Sequence, residues 1–77
     1  MSSTLLEELA RRLVDEPDAV RVEREEDDDA VVLRLHVAPD DVGKVIGRQG
    51  RIARALRQLV RASAGRDRRR VTVEIDG

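Results

Sequence analysis

Apolar residues in the first segment of the chain recur three and four residues apart, which is the spacing of one face of a helix. Thr4 is followed three residues later by Glu7, a pair that fits a capping box, so we expect the helix to begin at Thr4. Pro17 is expected to end it. The predicted apolar face consists of Leu5, Leu6, Leu9, Ala10, Leu13 and Val14.

Three later segments alternate apolar and polar positions with a period of two, as half-buried strands do. They cover residues 19–25, 30–37 and 71–75. The acidic run at 26–29 is expected to be a solvated turn, and so short a connection favours an antiparallel hairpin. The apolar positions are Val20 and Val22, then Val31, Leu33, Leu35 and Val37, and finally Val71, Val73 and Ile75.

Two helical segments separated by a glycine-bounded loop lie between the second and third strands. Pro39, followed by two acidic residues, indicates where the shorter helix starts. The loop covers residues 47–50, and Gly65 stands where the longer helix is expected to end. The apolar positions are Val42, Val45 and Ile46 in the shorter helix and Ile52, Leu56, Leu59 and Val60 in the longer one.

The predicted order of elements is therefore α-β-β-α-α-β. Helices with one apolar stripe must bury it, so we expect them to stack on one face of a three-stranded sheet in a two-layer α+β fold. A chain of 77 residues is too short for a second core, so residues 1–77 are expected to form a single domain. So small a domain is only marginally stable alone, which makes a homodimer worth testing.

Charge is distributed unevenly along the chain, although the net charge is only -1. Residues 1–29 hold four bases against eleven acids, whereas residues 30–77 hold eleven bases against five acids. Between Gly43 and Arg66 there are seven bases and no acid. A basic stretch of this kind attracts polyanions such as nucleic acids.

The residue types that the chain lacks exclude several kinds of function. Without aromatic residues it cannot stack bases on aromatic rings, as RRM sheets do. Without cysteine it has no disulfide or cysteine metal site, which suits a reducing compartment. Because no apolar stretch approaches the ~20 residues of a membrane span, and no signal peptide is evident, we expect a cytoplasmic protein. His36 lacks recognisable catalytic partners, so neither an enzyme nor a metal or cofactor is expected.

The loop at 47–50, Gly-Arg-Gln-Gly, carries the most informative chemistry in the chain. Its two glycines let a nucleic-acid backbone approach the protein backbone closely, because no Cβ intrudes. The amides at the start of the following helix favour a phosphate, since the positive end of the helix dipole lies behind them. Arg48 and Arg51 supply positive charge, Lys44 lies just before the motif, and Gln49 adds hydrogen bonding without repelling an anion.

The stretch from Val42 to Ala53, Val-Gly-Lys-Val-Ile-Gly-Arg-Gln-Gly-Arg-Ile-Ala, resembles the KH domain. The signature of that domain is a helix ending in Ile-Gly, two variable residues, a glycine and a second helix. The predicted element order is similar to the bacterial type II arrangement of this domain. The resemblance is closest to the small stand-alone KH proteins of bacteria, the KhpA family of RNA chaperones, and it covers essentially the whole chain.

This resemblance implies that the chain binds about four nucleotides of single-stranded RNA. Val45 and Ile46 would form the aliphatic floor of a groove for bases, and residues 47–50 would contact the sugar-phosphate chain. The basic segment 66–70 would be the variable loop of the family and form the opposite edge of the groove. The residues expected to bind RNA are Lys44, Val45, Ile46, Gly47, Arg48, Gln49, Gly50, Arg51, Arg54, Arg69 and Arg70.

The resemblance also implies a cellular role and a partner. The role is that of an RNA chaperone or post-transcriptional regulator affecting cell envelope growth, cell wall organisation and cell shape. The implied partner is a larger RNA-binding protein of the KhpB or Jag type.

Other interpretations of the same residues remain open. The loop could be an ordinary turn between two helices, in which glycine only ends the first one. Arg54, Arg57 and Arg61 could form a solvated helix face without a ligand. The domain could serve protein interaction or dimerisation through its helices or a sheet edge, with weak or no RNA binding. It could also be a helix-turn-helix DNA-binding protein.

Overall fold

The computed structural model describes residues 2–66 and 68–77, and the order of its main elements is the predicted α-β-β-α-α-β. Short 3₁₀ turns precede β1 and α2, and Gly65 has the positive φ of 61° expected just beyond the end of the last helix. The helices and strands are α1 Ser2–Leu13, β1 Arg21–Glu26, β2 Ala30–His36, α2 Val42–Ile46, α3 Arg51–Ser63 and β3 Arg70–Asp76.

The three strands form one mixed sheet in the order β1-β2-β3. β1 pairs antiparallel with β2, as the short acidic connection predicted, and the register places Arg21 opposite His36. β3 pairs parallel with β2, from Ala30 opposite Arg70 to His36 opposite Asp76. A parallel neighbour needs a crossover connection, and α2 and α3 supply it. This leaves one edge of β3 unpaired in the sheet.

The core lies between the sheet and the three helices. Alternate residues of β2 and β3 are buried, so these strands turn one face to the helices and the other away from them. The two-layer α+β fold predicted from the sequence is therefore confirmed. The most deeply buried side chains are Leu6, Ala10, Leu33, Leu35, Val45 and Val60.

The first helix has different limits from those predicted. It begins at Ser2, so Thr4 lies inside it and cannot be its N-cap, and the predicted capping box is wrong. It also ends at Leu13, four residues before Pro17. The chain leaves the helix early because the amides of Asp15 and Glu16 donate to the carboxylate of Asp41 instead of continuing the helical pattern.

The apolar face of α3 also differs from the prediction. Leu59 was expected in the core but is 48% exposed, whereas Ala53 is only 3% exposed. At 100° per residue, the buried positions Ala53, Leu56 and Val60 share the middle of one face, and Leu59 lies about a quarter turn away. The helix therefore approaches the core closely at a small residue.

Within the described part of the chain, no helix combines the length and the apolar character needed to cross a membrane.

Candidate nucleic-acid interface

The loop between α2 and α3 has an unusual backbone. Gly47 has φ 76° and ψ 173°, a region that essentially only glycine occupies. Gln49 and Gly50 follow in left-handed conformations, with φ of 58° and 72°. The Gly50 amide donates to the Gly47 carbonyl at 3.1 Å, and the Arg51 amide donates to the carbonyl of Arg48. These two bonds fix the loop as a tight, preformed bend.

The two glycines of the loop are required for different reasons. A Cβ on Gly47 would lie 2.7 Å from Cγ1 of Ile52, so a side chain there would collide with the first turn of α3. A Cβ on Gly50 would meet nothing within 4 Å. At Gly50 only the positive φ favours glycine, and the surface above it stays open.

The surface of this bend carries positive charge and unused amides. Among the described residues, the guanidinium groups of Arg48 and Arg51 have no hydrogen-bond or ion-pair partner, and both residues are exposed. Arg54 is different, because its Nη2 donates to the carbonyl oxygen of Gln49 at 2.6 Å and so braces the loop from the first turns of α3. Within the same described set, the amides of Arg48 and Gln49 have no backbone acceptor. The bend thus offers donors and cations to an approaching anion.

Two further arginines of α3 lie along the free edge of β3. Nε of Arg57 donates to the Val73 carbonyl at 3.4 Å, and Nε of Arg61 donates to the Val71 carbonyl at 3.5 Å. Arg54, Arg57 and Arg61 are here called the arginine flank. Arg57 contacts Val73 and Arg61 contacts Val71, so residue numbers rise along α3 in the direction in which they fall along β3. The helix therefore runs antiparallel to the strand. The flank therefore leads from the loop, near the end of β3, toward the beginning of that strand.

The opposite face of the sheet has charges of both signs that pair with one another. Arg34 at its centre binds Glu25 of β1 and also Glu74 of β3, the latter at 3.0 Å. His36 Nε2 lies 2.6 Å from a carboxylate oxygen of Glu23 on β1. These cross-strand pairs leave little net positive charge for a polyanion. Among the described residues, Arg48 and Arg51 of the loop and the three arginines of the flank form no ion pair with an acid.

The sequence profile of the KhpA/KhpB KH domain matches residues 3–75 of the chain. The chain belongs to this KH-domain family. The matched region includes the glycine-bounded loop, both helices beside it and nearly all of the sheet.

Relatives in this family are similar along nearly their whole length. A Clostridium acetobutylicum protein named RNA-binding protein KhpA is 51% identical over 71 residues, which cover 92% of this chain and 95% of the relative. A protein of the same name from Halalkalibacterium halodurans is 51% identical over 72 residues, covering 94% of this chain and 95% of the relative. Another from Treponema pallidum is 48% identical over 75 residues, covering 97% of this chain and 94% of the relative. No solved structure gives a significant match.

Within this KH domain, the side chain of Lys44 already pairs with two acidic side chains of the protein. Its Nζ bridges the carboxylates of Asp15 and Asp41, at 3.2 Å from the latter. The hydrogen bond that Lys44 donates to Asp15, followed by the one it donates to Asp41, raises the pKa of Lys44 above its ordinary value. Lys44 was predicted to bind RNA, but the structure directs its charge toward the segment after α1.

The two aliphatic residues predicted to form the floor of the groove lie in different surroundings. Val45 has no exposed surface and belongs to the core, so it supports the site from beneath. Ile46 is 38% exposed, immediately before Gly47. Of the pair, only Ile46 presents a surface that a ligand can contact.

Arg69 and Arg70, also predicted to bind RNA, lie at the far end of α3 from the loop. A helix of 13 residues separates the two regions by roughly 20 Å. Arg69 Nη1 donates to Glu26 at 2.9 Å and to the Asp27 carbonyl at 3.3 Å, which ties it to the β1–β2 turn. The side chain of Arg70 is on the sheet face turned away from the helices, by strand alternation. Asp67 of the predicted variable loop lies outside the described residues.

Sequence reasoning missed the role of Asp41, which was interpreted only as a favourable charge at a helix start. It is 2% exposed and accepts the amides of Asp15 and Glu16 at 3.2 and 3.1 Å. Burial by itself would raise the pKa of Asp41, but these two amides together with Lys44 outweigh it and hold the pKa below its ordinary value. Asp41 thereby links α1 to the start of α2, the helix that leads into the loop.

Proposed function

We propose that the chain binds single-stranded RNA through the loop at 47–50, gripping about four nucleotides. The observation that carries this proposal is the glycine bend with two unpaired arginines and two amides without a backbone acceptor, placed at the start of α3. The names of the relatives, RNA-binding protein KhpA, support the same ligand.

The chemistry of the loop suits a phosphate of the RNA backbone. Gly50 leaves open space above the backbone of the loop, and the amides of Arg48 and Gln49 have no backbone acceptor, so we expect a phosphate to bind here. Arg48 and Arg51 add charge-assisted hydrogen bonds from guanidinium groups that need not break existing bonds first. Ile46 beside the loop provides an apolar contact for a base or sugar. The loop therefore positions the strand, and the surface beyond it contacts the bases.

Single-stranded RNA is favoured over duplex DNA by the size of the helix before the loop. α2 has only five residues and a tight bend joins it to α3. The α2–α3 pair is therefore more compact than a helix-turn-helix motif, in which two full helices let the second one project for recognition. The flank of α3 also lies along β3 instead of projecting freely.

The cellular role proposed here is that of a cytoplasmic RNA chaperone or post-transcriptional regulator acting on cell envelope growth and cell shape. The resemblance to the KhpA family supports this role. One site that holds about four nucleotides gives weak binding, so a second site on the same RNA would raise the avidity. A homodimer, or a complex with a larger protein of the KhpB type, would supply that second site. Light scattering of the protein with and without RNA measures the assembly directly.

The experiment for RNA binding is a double substitution in the loop, Arg48→Asp with Gln49→Asp. Fluorescence anisotropy with a labelled ten-nucleotide RNA containing all four bases should show loss of binding, because the two carboxylates repel the phosphate. The circular dichroism spectrum should be unchanged, since both side chains are exposed.

A matched control places the same change in charge on α1, as Thr4→Asp with Arg12→Asp. Both of these side chains are exposed and lie on a different helix from the loop, so this variant should bind RNA like the wild type. Equal affinity of the loop variant and the wild type would refute the proposed site. Failure of the wild type itself to bind RNA would leave protein interaction as the function of the domain.

A further inference from the structure

The direction of the free amides in the loop depends on the backbone of one residue, Gln49. Arg48 before it keeps right-handed helical angles, whereas Gln49 lies in the left-handed region at φ 58° and ψ 24°. A right-handed residue followed by a left-handed one turns successive amides toward a common point, and such a concavity binds anions. With Gln49 in the right-handed region, the amides of Arg48 and Gln49 would no longer converge.

Gln49 does not adopt these backbone angles by preference. The left-handed region is unfavourable for a residue with a Cβ, and asparagine enters it more readily than most because its short polar side chain can bond locally. Gly50, with φ 72°, has the same handedness, but glycine adopts it without this cost. The conformation of Gln49 therefore needs support from elsewhere in the structure.

Arg54 supplies a contact that gives this support. Its Nη2 donates to the carbonyl oxygen of Gln49 at 2.6 Å, a charge-assisted hydrogen bond. Arg54 lies in the first turn of α3, a helix fixed to the core by the buried Ala53 and Leu56, so the donor comes from a rigid element. Among the described residues, Arg54 forms no ion pair that would draw its guanidinium away from the loop.

We propose that Arg54 is a positioning residue of the RNA site, which holds Gln49 in the left-handed conformation and so keeps the amides of Arg48 and Gln49 directed at one phosphate. This inference rests on the proposed binding of RNA, and it adds a role that Arg48 and Arg51 do not share. Any direct attraction between the charge of Arg54 and RNA does not depend on which amide side chain stands at position 49. The positioning role does depend on it.

The test compares Arg54→Ala in the wild-type chain with the same change in a Gln49→Asn background. Asparagine keeps the side-chain amide but enters the left-handed region more easily, so the loop needs Arg54 less. Fluorescence anisotropy with the labelled ten-nucleotide RNA measures the affinities. The loss of affinity caused by Arg54→Ala should be about three- to fivefold larger with glutamine at position 49 than with asparagine.

The matched control is Arg51→Ala, which removes one charge from an exposed residue beside the loop that has no partner among the described residues. Its loss of affinity should be the same in both backgrounds. Because Gln49, Arg51 and Arg54 are all exposed, every variant is expected to fold, and circular dichroism checks this.

A second measurement follows the loop without RNA. The Gly50 amide donates to the Gly47 carbonyl at 3.1 Å, so its hydrogen exchange, measured by NMR, reports how firmly the bend is closed. Exchange at Gly50 should be faster in Arg54→Ala than in the wild type. It should slow again when Gln49→Asn is added, and Arg51→Ala should leave it unchanged.

The possible failures of the inference and of the proposed function are distinguishable. Equal losses of affinity for Arg54→Ala in both backgrounds, or unchanged exchange at Gly50 in Arg54→Ala, would overturn the inference while leaving RNA binding intact. No binding of RNA by the wild-type chain would overturn the proposed function and the inference together.

Discussion

At the scale of single residues, the loop shows how one amino acid can serve two different purposes. Gly47 has a backbone conformation that other residues essentially cannot adopt, and a side chain there would collide with Ile52. Gly50 needs only a positive φ. Gln49 also has a positive φ of 58° although it carries a side chain, a conformation that costs roughly 1 kcal/mol. Arg54, which donates to the Gln49 carbonyl, helps to hold it there.

We therefore expect asparagine to be tolerated at one glycine and not at the other. Gly50→Asn should cost less than about 1 kcal/mol of stability, because asparagine adopts the left-handed conformation more readily than other side chains. Gly47→Asn should cost about 2 to 4 kcal/mol, from backbone strain together with the collision at Ile52. Urea unfolding of the two variants measures the difference. Equal losses of stability would show that Ile52 does not constrain the loop.

A second prediction concerns Lys44 as a supporting residue. Lys44→Met removes the ammonium that bridges Asp15 and Asp41 but keeps a flexible aliphatic chain. We expect the melting temperature to fall by a few degrees, because two carboxylates lose their cation. The affinity for RNA should change less than twofold, in contrast to Arg48→Met, which keeps the fold and weakens binding. A larger effect of Lys44→Met than of Arg48→Met on affinity would place Lys44 in the RNA site.

At the scale of helices and strands, Asp41 is the residue that joins separate elements. Its carboxylate receives two amides from the segment after α1 and the ammonium of Lys44 from α2. The same kind of interaction shapes the β1–β2 turn, where Asp27 Oδ1 accepts the amides of Asp29 and Ala30, both at 2.8 Å. The Asp29 amide, followed by that of Ala30, lowers the pKa of Asp27. Both carboxylates act in their ionised form.

This arrangement predicts a loss of stability in acid that depends on Asp41. Because the pKa of Asp41 is lower in the folded chain than in the unfolded one, its contribution is present above the unfolded pKa of 3.8 and is lost as pH falls through the folded pKa. Asp41→Asn should lower the melting temperature at pH 7 by about 5 to 10 °C. Between pH 5 and pH 3 the variant should then lose less stability than the wild type does. Parallel curves for the two proteins over this range would exclude the role assigned to Asp41.

The sequence predicted the elements better than it predicted the contacts between them. Periods of apolar residues identify α1, α3 and the strands because burial of one face requires them. The two contacts of Asp41 join residues that are 26 and 25 positions apart in the sequence, and no local sequence pattern predicts such a contact. The same is true of Arg57, whose acceptor lies on β3. Glycine positions identified the loop correctly, but only the packing of α2 separates buried Val45 from exposed Ile46.

At the scale of the whole molecule, some arginines pair with acidic side chains of the protein and others have no acidic partner. On the outer face of the sheet, Arg34 is bound by carboxylates on both neighbouring strands. Arg69 is bound by Glu26 at the turn. Arg48 and Arg51 at the loop have no partner among the described residues. A net charge of -1 therefore coexists with a localised cationic surface.

The salt dependence of RNA binding should distinguish the arginines without an acidic partner from those that are already paired. If Arg48, Arg51 and Arg54 each neutralise one phosphate, the logarithm of the affinity should fall against the logarithm of salt concentration with a slope of about -2. Arg48→Ala should make the slope shallower by about 0.7. Arg34→Ala should leave it unchanged, because that guanidinium already serves two glutamates. An equal change in slope for both variants would mean that the outer face also binds RNA.

Covering two carbonyls of β3 with Arg57 and Arg61 also bears on how copies of the chain behave when crowded. An exposed strand with free acceptors and donors is a template onto which another copy can grow, and repeated growth of that kind produces fibres. Two bulky cations seated on the acceptors obstruct the first such addition and repel a second copy bearing the same pair. Arg57 and Arg61 are therefore expected to protect the protein against polymerisation.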